Sequence, residues 1–159
     1  MILGTILIAA VILISGSAVA ATWHYGVSIV EYYHCTSPDD VIDQPDDEYC
    51  SLGTSAQDLG WILINLSYGH GMGPEQQFWV FADSTYVEEY LVFVCAEPNY
   101  QTTYPVGEGS DTADEDFFTP VTHCPVDGWI YILLIGKTGD ARPDPVYGPD
   151  IDAVGWYEP

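Results

Sequence analysis

TWHYGVSIVEYYH, residues 22–34, is the stretch on which the architecture turns. Trp23, Tyr25, Val27 and Ile29 alternate with His24, Gly26 and Ser28, the period-two pattern of a strand. Yet Trp23, Val27 and Val30 also fall on one face of a helix. Read as helix, the stretch prolongs whatever precedes it; read as strand, it opens a β domain. The preceding residues tip the reading toward helix. MILGTILIAAVILISGSAVAA, residues 1–21, has no charged side chain, and its only polar ones are Thr5, Ser15 and Ser17. As a helix it would span about 30 Å, the thickness of a bilayer's hydrocarbon core.

Three readings of that apolar run compete. A secretory signal ends in small residues, and Ala18-Val19-Ala20 fits, but such a signal begins with a basic region and none is present. A membrane anchor normally carries basic residues on its cytoplasmic flank, which are equally missing. A helix packed against copies of itself needs no charge. It needs small side chains for close backbone approach, and Gly4, Ala9, Ala10, Gly16, Ala18, Ala20 and Ala21 supply them. The expectation is therefore a retained helix over residues 1–34, its charged leader already removed.

In this uncharged start and these small residues the sequence resembles archaeal type IV pilins. The resemblance implies an N-terminal helix that bundles with its copies in a filament core while a β-rich head faces solvent. It implies Gly4, Ala9, Ala10, Gly16 and Ala18 as assembly contacts, copies of this chain as partner in a helical filament, and a membrane before assembly. Bacterial type IV pilins carry glutamate at the fifth position; here it is Thr5, which points away from the bacterial branch.

Past the apolar run, composition narrows the classes. Apolar residues make up 48% of the chain, which excludes intrinsic disorder. Against 24 Asp and Glu stand only Lys137 and Arg142, for a formal charge of −22. Such a surface repels nucleic acid and anionic lipid, so nucleic acid is not an expected partner. It also repels itself unless salt screens it, which suggests a halophilic, salt-adapted protein.

Four cysteines, Cys35, Cys50, Cys95 and Cys124, all follow the apolar run. An even count in a small exported domain indicates two disulfides, and three pairings are open; the sequence-local one, Cys35–Cys50 with Cys95–Cys124, is favoured. Asn65-Leu66-Ser67 is an N-glycosylation sequon. The acidic, turn-rich residues 35–58 read as a loop, as does 98–125, where Asp111, Asp114 and Asp116 are weak calcium candidates among hard oxygen ligands. A solvated acidic loop is the preferred account of both, and no cofactor is expected.

The strand pattern is clearest in residues 61–68, 77–83, 89–97 and 128–138, with a short segment at 153–157. In 61–68, Trp61, Leu63, Asn65 and Ser67 face one way and Ile62, Ile64, Leu66 and Tyr68 the other, marking a largely buried strand. The expected fold is α+β: a hydrophobic helix over 1–34, then an antiparallel, sandwich-like β head over 35–159 with two disulfides. No nucleophile elbow, zinc-binding H-E-x-x-H, phosphate loop or haem motif occurs, so an enzyme is not expected. The leading functional expectation is a pilus-like surface filament subunit, active in adhesion. Its alternatives are a membrane-anchored surface or virion coat protein of a halophile, or a secreted calcium- or glycan-binding β module after signal cleavage. Exposed Trp and Tyr could bind carbohydrate, but core and inter-subunit packing is the simpler account of those rings.

Overall fold

A computed structural model describes residues 22–46, 48–55, 58–66, 77–82, 88–95, 97–99, 101–110, 115–118, 130–137 and 148–158. The described chain is antiparallel β throughout, apart from one short 3-10 turn, Pro38–Ile42. The α+β expectation is corrected here. Where a helix was expected to continue, residues 22–34 form two strands, β1 (Thr22–Tyr25) and β2 (Ser28–Tyr33). The helix expected over residues 1–21, with the assembly contacts assigned to Gly4, Ala9, Ala10, Gly16 and Ala18, lies outside the described residues.

The physical reason for the misreading is a change of sheet followed by a register irregularity. β1 pairs with β12 (Asp150–Glu158) in one sheet, whereas β2 pairs with β6 (Trp61–Asn65) in the other. The chain crosses between them at Gly26 and Val27: the Gly26 N–H bonds the Val154 carbonyl at 2.9 Å, and the Val27 N–H bonds the Asn65 carbonyl at 2.8 Å. Only a residue without a side chain fits the crossing, since a Cβ on Gly26 would sit 2.7 Å from the Ile42 Cγ2. The period of two runs through this crossing and ends at a register irregularity between Ile29 and Glu31, which leaves Val30 on helical spacing from Trp23 and Val27. Val27 and Val30, which a helix would have buried beside Trp23, are instead 56% and 37% exposed.

Among the described residues, two five-stranded sheets face each other. Sheet A runs β1, β12, β7 (Phe78–Ala82), β10 (Glu115–Phe118), with the short β3 (Cys50–Ser51) on β12. Sheet B runs β2, β6, β11 (Tyr131–Gly136), β8 (Glu89–Cys95), β9 (Thr103–Ser110). A small hairpin, β4 (Gly53–Ser55) with β5 (Asp58–Leu59), stands apart. The shared core is built from alternate residues of facing strands: Ile62, Ile64, Val92, Ile132 and Leu134 from sheet B meet Phe78, Val80, Ile151, Val154 and Trp156 from sheet A. Val41 of the 3-10 turn is buried in the same core. Each such side chain gains about 1.5–3 kcal/mol from leaving water, which is the main force holding the sheets together.

Residues 61–65 are apolar on both faces for a reason. Leu63 joins Leu133 and Cys95 in a second cluster on the outer face of sheet B, flanked by Trp61, Phe93, Tyr131 and Ile135. The strands expected at 77–83, 89–97, 128–138 and 153–157 correspond to β7, β8, β11 and β12. The expected loops are corrected: 98–125 contains β9 and β10, and 35–58 contains β3, β4, the start of β5 and the 3-10 turn. Pro105 and two glycines hid β9. The register of β9 on β8 slips between Val92 and Phe93, and the strand lies at the sheet edge, where proline is tolerated.

Candidate functional site

The outer face of sheet A gathers aromatic rings around Trp23. Antiparallel register places Trp23 opposite Tyr157 and Tyr25 opposite Gly155, while Gly155 in turn opposes Trp79. Alternation then sends Trp23, Tyr25, Tyr157, Trp79 and Phe81 to one side, while Trp156 and Phe78 turn into the core. The Trp23 ring lies 5.2 Å from Phe81 and 5.2 Å from Tyr157, and meets Trp79 nearly edge-on at 5.8 Å. Trp23 and Tyr25, two residues apart on one strand face, hold their rings almost parallel, 12° apart with centroids 6.4 Å from each other.

Phe81 forms the floor of this platform at 7% exposure, while Tyr157 stands 40% exposed and Trp23, Tyr25 and Trp79 are half-buried. Gly155 is required here. A Cβ would lie 2.9 Å from both the His24 carbonyl oxygen and Tyr25 Cδ1, so the Tyr25 ring covers a site where no side chain fits.

The polar edge of the platform comes from the start of β12. A register irregularity between Ile151 and Ala153 holds the buried Asp152, whose Oδ1 accepts the Asp46 N–H at 3.0 Å. Burial, and secondarily the Asp152 carboxylate, hold the Tyr25 phenol above its ordinary value, so it stays protonated and able to donate. Next along the strand, the Ser51 hydroxyl donates to Asp150 Oδ1 at 2.5 Å. The platform is thus aromatic, with the buried Asp152 beside Tyr25 at its edge, and offers no positive charge from the residues named.

A second, more apolar concavity of about 370 Å³ lies on the outer face of sheet B, lined by Trp61, Phe93, Thr103, Leu133 and Ile135. Beyond it, the Lys137 ammonium bridges Glu89 at 2.9 Å and Glu108 at 2.7 Å. Thus one of the chain's two basic residues is held by carboxylates.

The residues singled out from sequence fall in scattered places. Asp116 accepts the Tyr90 hydroxyl at 2.8 Å and the Ser110 N–H at 2.9 Å, tying β10 of sheet A to β8 and β9 of sheet B. Asp111 and Asp114 lie outside the described residues, and among the described residues no group of three His, Cys, Asp or Glu is placed to hold a metal ion. Asn65 ends β6, with Ser67 of the sequon outside the described residues. Cys35 and Cys50 are brought together as neighbouring free thiols. Cys95 is buried on sheet B, and Cys124 lies outside the described residues. Among the described residues no helix is long and apolar enough to cross a membrane. Sequence reading missed the platform as a unit, because its rings come from three strands separated by most of the chain.

Two packed antiparallel sheets with an aromatic outer face define a β-sandwich-like module. Among solved structures, the chain is similar to a chitosan-binding module derived from a chitosanase/glucanase of Paenibacillus sp. IK-5. The two share 15% identity with a TM-score of 0.50, over 87% of this chain and 93% of that one. No protein-family model and no curated protein matches the sequence.

Proposed function

We propose that the chain is a secreted glycan-binding β module, which holds its ligand rather than transforming it, with the platform of Trp23, Tyr25, Trp79 and Tyr157 as its contact surface. The observation that carries this reading is the cluster of accessible rings centred on Trp23. The C–H face of a pyranose is weakly positive and packs against the negative face of an aromatic ring. The Tyr25 hydroxyl, kept protonated, would donate a hydrogen bond at the sugar's rim. The fold likeness to a chitosan-binding module favours this reading over a pilus subunit.

Charge narrows the ligand class. A module at −22 disfavours anionic polysaccharides and accepts neutral or amine-bearing ones. A protonated amino sugar over an indole face gains a cation–π contact of about 0.5–2 kcal/mol.

Calorimetric titration with glucosamine, N-acetylglucosamine, cello- and galacturonic-acid oligomers tests the proposal. Binding of a neutral or amine-bearing oligomer is expected, with none of the polyanion. Tyr157→Ala should weaken it roughly fivefold while leaving the fold in place, since the lost contact is worth about 1 kcal/mol. Absence of heat with every neutral and amine-bearing oligomer, or full affinity in Tyr157→Ala, overturns it.

A further inference from the structure

We infer that Cys35 and Cys50 form a disulfide that clasps sheet B to sheet A. Cys35 lies two residues beyond β2, the edge strand of sheet B, and bridges Leu52 in antiparallel fashion. Cys50 opens β3 and pairs with Ile151 of β12 in sheet A. Between them the two segments are already zipped: the Thr36 N–H bonds the Ser51 carbonyl at 3.2 Å, and the Ser51 N–H bonds the Thr36 hydroxyl at 3.2 Å. His34 and Ser37, both left-handed at φ 49° and 42°, flank the turn that lays Cys35 along this ladder. The two thiols meet through a side-chain hydrogen bond, and Cys35 Sγ also reaches the Trp61 carbonyl at 3.2 Å.

The pair is asymmetric in a way that sets the order of events. Cys50 is fully buried, whereas Cys35 is half-buried and within reach of a reagent. The hydrogen bond with Cys50 lowers the Cys35 thiol, while the same contact and burial raise Cys50. Cys35 is therefore the first nucleophile. With a small-molecule or enzyme-borne disulfide RSSR as oxidant, the Cys35 thiolate attacks one sulfur and releases RS⁻, which takes up a proton. Cys50 then gives up its proton and attacks the Cys35 sulfur, displacing the second RS⁻. Two protein thiols and one RSSR become one protein disulfide and two RSH, with two electrons passing to the oxidant.

The experiment is peptide mapping of full-length protein produced in an oxidising compartment, alkylated without reductant and digested with a protease that cuts at acidic residues. A Cys35–Cys50 cross-linked peptide, two hydrogens lighter than its reduced components, is expected. In reduced protein, brief alkylation should label Cys35 before Cys50. Reduction should lower the unfolding midpoint by roughly 10 °C, because the bond closes a loop of about 15 residues. The Cys35→Ser/Cys50→Ser variant should lose that part of the reductant response. Alkylation of both thiols in the oxidised protein, or Cys35 joined to Cys95 or Cys124, overturns the assignment even if the variant does not fold. Labelling of Cys50 first overturns the order of attack.

Discussion

Cys95 packs with Leu63 and Leu133 on the outer face of sheet B, and burial pushes its thiol up to about 11 from an ordinary value of 9.0. A raised value in the folded state means that the native protein keeps a proton which the unfolded chain gives up. The contribution to stability is therefore fully present below about pH 9 and is lost as pH rises through about 11. In fully reduced protein the unfolding midpoint should fall between pH 9 and 11, and Cys95→Ala should flatten that fall relative to its parent. An unchanged slope would show that Cys95 ionises equally in both states. The packing around such a residue is only partly legible in sequence. Asp116 illustrates the limit: its run of acids suggested a cation, but its Tyr90 partner comes from β8, 26 residues away, and no spacing rule reports it.

β12 is the element that both sheet A and the platform depend on, with β1 and β3 along one edge and β7 along the other. Its Gly155 is the point of tightest tolerance, because a backbone oxygen and the Tyr25 ring both stand 2.9 Å from where a Cβ would be. Gly155→Ala should cost about 1–3 kcal/mol by overpacking, displace Tyr25, and weaken glycan binding together with stability. Denaturant unfolding measures the first effect and near-ultraviolet dichroism of the aromatic cluster the second; a variant as stable as the parent with an unaltered spectrum would contradict the packing described.

Elements differ in how far they could be read. β6, β8 and β11 announced themselves, since they are rich in β-branched and aromatic residues and buried on both faces. β1 and β2 did not, because the apolar run before them favours helix and the irregularity between Ile29 and Glu31 ends their alternation. β9 was hidden because an edge strand with a bulge accepts Pro105, which a sequence rule reads as a break. The sandwich was thus legible from its central strands, and its edges were not.

For the molecule as a whole, charge is the dominant long-range force. With −22 on a compact body and Lys137 clamped by Glu89 and Glu108, little positive charge is left to offset self-repulsion. Raising salt from about 0.1 M to about 1 M shortens the screening length from about 10 Å to about 3 Å. The unfolding midpoint should climb over that range in sodium chloride. A flat response would show that the carboxylates are too widely spaced for repulsion to limit stability, and would remove salt adaptation as the reason for the composition. The aromatic content, 12 tyrosines and five tryptophans, was visible at once, but which rings share a surface depends on strand order, which composition does not contain.

The position of β12 has a consequence in time. It lies inside sheet A, yet it is synthesised after β1, β3 and β7, the strands it joins. Until residues 150–158 emerge from the ribosome, β1 and β3 lack their ladder partner and β7 has one flank unpaired. Pairing Thr22 with Glu158 closes nearly the full described length in a single contact, the kind of distant closure that makes folding slow. Sheet B can pair as it is made, whereas sheet A of a nascent chain with this strand order stays incomplete until its last strand is released.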